Sequence, residues 1–166
     1  MDQGATIVGG CCGTNPDYIK LLAKEVGGRE VVKREANSVS RVCTPTKVVQ
    51  VDSVKVIGER INPTGKKLFK EALLNHNLDY ILSQGISQVN AGADILDVNV
   101  GLPGIDEEKT MVNILKELQA VVDAPLQIDS SNPKVIETAL RYYNGKAIVN
   151  SVNGEDSVLD SVLPVV

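Results

Sequence analysis

Asp94-Ile95-Leu96-Asp97-Val98-Asn99-Val100 alternates polar and apolar residues, with Asp97 and Asn99 toward its C-terminal end. Period two marks a strand with two unlike faces. The residues on either side have a different period. Leu78, Ile81, Leu82, Ile86 and Val89 recur at helical spacing across 77–90. Met111, Ile114, Leu115, Leu118 and Val122 do the same across 106–122. Strands at 54–61, 126–130 and 146–151 continue the rhythm. Asn132 caps a further helix that Pro133 starts and that buries Val135, Ile136, Ala139 and Leu140. Strands alternating with helices predict a parallel sheet with right-handed crossovers, hence an α/β fold.

The polar residues decide between an open sheet and a barrel. Glu59, Asn62, Asp97, Asn99, Asp129 and Asn150 all fall at or near strand C-terminal ends. A (β/α)8 barrel brings all such ends to one mouth, where its active site lies. An open doubly wound sheet places its ligand at a single switch point. No G-x-G-x-x-G or phosphate-loop pattern supports a nucleotide site. A full barrel takes about 250 residues. The stretch 54–166 holds about half of that, so the expectation is a partial (β/α)8 barrel of about four βα units.

The N-terminal part reads differently. Residues 5–8 suggest a short buried strand, followed by the tight turn Gly9-Gly10-Cys11-Cys12-Gly13-Thr14. Asn15 and Pro16 then open a helix bearing Ile19, Leu22, Ala23 and Val26, which Gly27-Gly28 stops. Residues 29–53 are polar and mixed in charge around Thr44-Pro45-Thr46, and suggest an inter-domain linker with short strands. The expected domains are therefore 1–28, the linker 29–53, and 54–166.

Bulk properties exclude several classes. The chain has 166 residues, 43% hydrophobic and 23% charged, which is ordinary globular composition. A net charge of -4 gives no basic footprint for nucleic acid or an anionic membrane. No apolar run approaches the ~20 residues that span a bilayer, and Met1-Asp2-Gln3-Gly4 lacks the start of a signal peptide. A cytoplasmic location is expected. Three cysteines, two of them adjacent, make no disulfide framework; such a pair in the cytosol more often binds metal or reacts. The competing reading is a pair of incidental thiols.

Gly58-Glu59-Arg60-Ile61-Asn62-Pro63-Thr64-Gly65 resembles the opening of the pterin-binding barrel of methionine synthases and corrinoid methyltransferases. Asp97-Val98-Asn99, Ile128-Asp129-Ser130-Ser131 and Ile148-Val149-Asn150-Ser151 resemble the next three strand-end motifs, in the same order. The cysteine turn resembles the zinc-ligand turn of the homocysteine S-methyltransferase barrel. That turn directly before a pterin barrel resembles the cobalamin-dependent methionine synthase family. Dihydropteroate synthase shares the barrel but carries a Ser-Thr-Arg sequence absent here, and the corrinoid iron-sulfur methyltransferase lacks the cysteine turn.

The resemblance implies methyl transfer from 5-methyltetrahydrofolate, via cobalamin on a domain outside this chain, to homocysteine. It implies zinc held by three cysteines, of which Cys11 and Cys12 match two; Cys43 matches none. It implies pterin contacts from Glu59, Asn62, Gly65, Lys66, Lys67, Asp97, Asn99, Asp129 and Asn150. A pterin edge sets a ring N–H beside an amine, which one carboxylate accepts in a bidentate fit; Asp129 is first choice, with Asp97 helping. Asn99 or Asn150 is expected to stabilise the protonated nitrogen that carries the methyl group. The alternative is that these Asp and Asn residues only cap following helices. Glu59 and Arg60 suggest an ion pair, Lys66, Lys67 and Lys70 a solvated helix face or a contact for a polyglutamate tail, and His76 a surface residue. Two further readings stand beside the enzyme piece: a truncated pterin-binding module, or part of a corrinoid-protein methyltransferase. The isolated chain is expected to be inactive alone, and poorly soluble or oligomeric.

Overall fold

The computed structural model describes residues 5–30 and 39–166, which belong to two separate units divided before Val39. In the first unit, helix α1 (Pro16–Val26) is capped by Asn15, whose side chain accepts from the backbone N–H groups of Asp17 and Tyr18. None of its residues is buried. The strand expected at residues 5–8 does not form, and Ile7 is 90% exposed. A strand needs a neighbour for its backbone groups, and the described residues of this unit supply none.

In the second unit, strands β3 (Ile57–Ile61), β4 (Ile95–Asn99), β5 (Leu126–Asp129) and β6 (Ile148–Asn150) form a parallel sheet in that order. They are preceded by β1 (Arg41–Cys43) and β2 (Val48–Gln50), an antiparallel hairpin. The connections carry helices α2 (Lys67–Leu74), α3 (Leu78–Asn90), α4 (Glu107–Val121) and α5 (Pro133–Tyr142), and α6 (Asp156–Val162) follows β6. Asn77, Asp106 and Asn132 each accept a backbone N–H as helix caps.

The two faces of the sheet differ because the side-chain period is two. Leu96, Val98, Val100, Leu126 and Ile128 face the helices, where they pack with Ile114, Leu115, Leu118 and Ile136 at 0–1% exposure. Ile95, Asp97 and Asn99, Gln127 and Asp129, and Ile148 and Asn150 occupy the alternate positions, on the other face. That face is apolar at its N-terminal end and polar at its C-terminal end.

The hairpin covers the apolar end. Val42 and Val49 pack with Ile95 and Ile148 in a second small core. Cys43 forms an antiparallel bridge with Lys146, and the Tyr143 hydroxyl donates to the Cys43 carbonyl at 2.9 Å. The Thr44 and Thr46 hydroxyls both donate to Asp123. The linker expected over 29–53 is therefore corrected: 39–53 belongs with the sheet, because the hairpin buries two valines there, and 31–38 lies outside the described residues. The strand expected from Val54 begins only at Ile57, and Val54 is 94% exposed. Helix α2 carries Lys67 and Lys70, both expected on a solvated helix face, and anchors through Phe69, Ala72 and Leu73, spaced i, i+3 and i+4.

Candidate functional site

The C-terminal end of the sheet assembles side chains from all four parallel strands. In register, Asp97 lies opposite Gln127, and Asn99 opposite Asp129, which lies opposite Asn150. Nδ2 of Asn99 donates to Oδ2 of Asp129 at 2.9 Å, and Oδ1 of Asn99 accepts the Gly101 N–H at 2.8 Å. Both ends of the Asn99 amide are thus engaged within the chain, and one oxygen of Asp129 is held in place. Nε2 of Gln127 donates to Oδ1 of Asp97 at 2.5 Å.

Asp97 is the buried acid of the group, at 5% exposure. Burial pushes its carboxyl above the usual range; the Gln127 hydrogen bond pulls the other way, Asp129 adds repulsion, and the nearby amides of Asn62 and Asn150 favour the charged form. Ser130, also buried, donates to Glu107 at 2.6 Å, and its N–H bonds the Asn150 carbonyl at 2.9 Å. These bonds tie the β5 end to α4 and β6.

The loop after β3 lies at the same end. Asn62 accepts the Thr64 N–H at 2.9 Å, and Gly65 takes φ of 70°, the left-handed region open to glycine. Lys66 folds back onto Glu59 at 2.6 Å and onto the Glu59 carbonyl at 3.3 Å. The ion pair expected between Glu59 and Arg60 is thus replaced by Glu59–Lys66, because neighbours on a strand point to opposite faces. Lys67 belongs to α2 rather than to the loop, is 90% exposed, and approaches only Glu71, at 3.9 Å. The structure thus brings together Asn62, Asp97, Asn99, Asp129 and Asn150, and leaves Lys67 outside. Gln127 was missed by sequence reasoning; counting two residues back from Asp129 would have found it on the same face.

In the first unit, Cys11 and Cys12 are exposed, with their Sγ atoms 3.9 Å apart. Zinc–thiolate bonds of about 2.3 Å in tetrahedral geometry set ligand sulfurs ~3.8 Å apart, so the pair fits two corners of such a site. The Cys12 backbone N–H, and then its side chain, favour the Cys11 thiolate and lower its pKa. Among the described residues no cluster of three or more metal-ligating side chains occurs. No helix among them is long and apolar enough to cross a membrane.

Comparison with known proteins fits this geometry. A family model described as pterin binding enzyme matches residues 58–166, and one described as homocysteine S-methyltransferase matches residues 1–26. Methionine synthases of Mycobacterium leprae and Mycobacterium tuberculosis are each 35% identical across 92% of this chain. The chain spans only 13% of the length of either. Among solved structures, a Xanthomonas albilineans dihydropteroate synthase aligns with a TM-score of 0.57 at 20% identity, covering 76% of this chain and 47% of its own. The Vibrio fischeri enzyme aligns with a TM-score of 0.53 at 21% identity, covering 76% of this chain and 47% of its own. These likenesses bear on the fold, and they match a four-stranded part of a barrel. With residues 58–166 matched by the family model and four strand-end motifs gathered at one mouth, the chain belongs to the pterin-binding enzyme family.

Proposed function

We propose that residues 39–166 form the N-terminal half of a barrel that binds 5-methyltetrahydrofolate, within a cobalamin-dependent methyltransferase making methionine from homocysteine. The observation that carries this reading is Asp129, fixed by Asn99 through one oxygen at a mouth lined by Asn62, Asp97 and Asn150. A carboxylate so held offers acceptor capacity to the paired N–H donors of a pterin edge. The likeness to methionine synthases supports methyltetrahydrofolate over other pterins.

The roles divide by what each side chain still has available. Asp129 accepts from the pterin. Asn99 orients Asp129, so of the two asparagines expected to assist chemistry, Asn150 is the one we assign beside the methyl-bearing nitrogen. Glu59 and Lys66 brace the Gly65 loop along the ligand. Cys11 and Cys12 are the two zinc ligands of this chain in a homocysteine site that needs a third. Bound zinc would supply a homocysteine thiolate at neutral pH. Cobalamin, on a separate domain, would supply the carrier for the methyl group. A cytoplasmic location is part of the same proposal, as expected of a chain with three cysteines, two of them adjacent.

The test is calorimetric titration of the full chain with 5-methyltetrahydrofolate, beside Asp129→Ala. Saturable binding that weakens at least tenfold in the variant is expected, since a charge-assisted hydrogen bond is worth about 1.5–3 kcal/mol. Equal binding by both proteins would refute the assignment of Asp129.

A further inference from the structure

Along the mouth, acids and carboxamides alternate on both central strands. Strand β4 presents Asp97 then Asn99; β5 presents Gln127 then Asp129. In register, each acid therefore faces an amide across the strand gap. Both amides donate to the acid opposite, Gln127 to Asp97 at 2.5 Å and Asn99 to Asp129 at 2.9 Å. Asn99 has an evident duty toward the ligand acceptor Asp129. Gln127 serves an acid that is buried and lies one rung below the mouth.

We propose that Gln127 is a positioning residue, which holds Asp97 as an ionised acceptor and through it sets which end of the Asn62 and Asn150 carboxamides faces a ligand. The ligand's identity rests on the pterin reading above; the positioning is a property of the chain itself. An ionised carboxylate can only accept hydrogen bonds. Asn62 uses its Oδ1 to accept the Thr64 N–H, so only its NH2 remains to donate. Asn62 and Asn150 both favour the charged form of Asp97, as donors do. In the proposed arrangement the Asn150 NH2 also turns to Asp97, which leaves its side-chain carbonyl oxygen for the mouth, an acceptor suited to a protonated ring nitrogen. A protonated Asp97 becomes a donor and loses this control over the amides.

The groups acting on Asp97 make the dependence testable. The titratable neighbour is Asp129 on β5, which opposes ionisation; the loop after β3 and strand β6 bring the neutral amides of Asn62 and Asn150. Burial also opposes ionisation, so the Gln127 bond is a main influence in the other direction. Replacing it with a group that cannot donate raises the Asp97 midpoint by about one pH unit, from the strength of a hydrogen bond to a charge.

The experiment is NMR titration of the full chain, reading the Asp97 side-chain carboxyl carbon and the Asn62 and Asn150 side-chain NH2 signals. Wild type is compared with Gln127→Leu and Gln127→Met. The expected result is a higher Asp97 midpoint in both variants, with the two NH2 signals shifting at that same midpoint. An unchanged midpoint, or NH2 signals that ignore it, would overturn the proposal. A purely packing role for Gln127 predicts no such shift. If Gln127→Leu disturbs the backbone spectrum, Gln127→Met, of similar length and also unable to donate, gives the same reading. Titration with 5-methyltetrahydrofolate then separates the two proposals. A wild type that fails to bind defeats the pterin reading, while the carboxyl titration still decides the role of Gln127. A wild type that binds, with Gln127→Leu matching it in affinity and pH profile, defeats the positioning role.

Discussion

Replacing Tyr143 by Phe removes one oxygen that joins the hairpin to the sheet. Tyr143 is 7% exposed, and burial holds its phenol above the ordinary range. Its hydroxyl accepts from the buried Leu126 N–H at 3.3 Å and donates to the Cys43 carbonyl at 2.9 Å. In Tyr143→Phe the ring still fills its space, so the loss is polar. The Cys43 carbonyl keeps its bond from the Lys146 N–H at 3.1 Å, and loses only the net worth of one hydrogen bond, about 1 kcal/mol. The Leu126 N–H loses the hydroxyl as its acceptor while buried, which costs about 1–3 kcal/mol. The sum, about 2–4 kcal/mol, is a large part of the 5–15 kcal/mol typical of a domain. Urea denaturation of the full chain reads it as a midpoint lowered by roughly 1 M or more, with m of about 1–3 kcal/mol/M. Hydrogen exchange at the Cys43 and Lys146 amides, which bridge hairpin and sheet, should quicken in step. The control is Tyr142→Phe, because Tyr142 is 45% exposed and its ring lies under Lys116. A Tyr143→Phe midpoint equal to that of Tyr142→Phe, with unchanged exchange at Cys43 and Lys146, would refute the view that the hairpin is fastened to the sheet at this point.

Asp97→Asn should flatten part of the pH dependence of the chain's stability. The native carboxyl is raised above the unfolded value, so the folded state binds the proton more tightly. Wild-type stability should therefore fall as pH rises from about 4 through the native midpoint, and the Asn variant should lack that fall; parallel urea curves from pH 4 to 8 measure it, and parallel slopes for both proteins would contradict the assignment. Gly145→Ala should loosen the hairpin, because Gly145 has φ of 151° and a Cβ there would overlap the Cys43 carbonyl. Faster exchange at the Cys43 and Lys146 amides, with the helix-side core unchanged, is the expected outcome. Cys12→Ser should weaken zinc uptake by the full chain at least tenfold in a competition assay with a chromogenic chelator, whereas Cys43→Ser should leave it unaltered.

Much of the fold was legible in local patterns. The period of two at Asp94–Val100 reports a strand with an apolar and a polar face, and the helical spacing of Met111, Ile114, Leu115 and Leu118 a helix and its buried face. Asn15 and Asn132, read as caps, accept the backbone bonds that helix starts require. Polar residues at successive strand ends were enough to place Asn62, Asp97, Asn99, Asp129 and Asn150 at one mouth, because parallel strands joined by right-handed crossovers all end on the same side.

What the tertiary structure decided is which of these groups touch. Asp97 and Gln127 are 30 residues apart, and their bond exists only once β4 and β5 take one register. Glu59 prefers Lys66 to its neighbour Arg60 because the Gly65 turn folds the loop back, seven residues on. The hairpin at 41–50 looked like a linker because its strands are three residues each, too short to show a period, and its partners lie about 100 residues later at Tyr143 and Lys146. Local sequence sets the direction each side chain points; pairing across strands depends on register and on distant burial, which no short stretch encodes by itself.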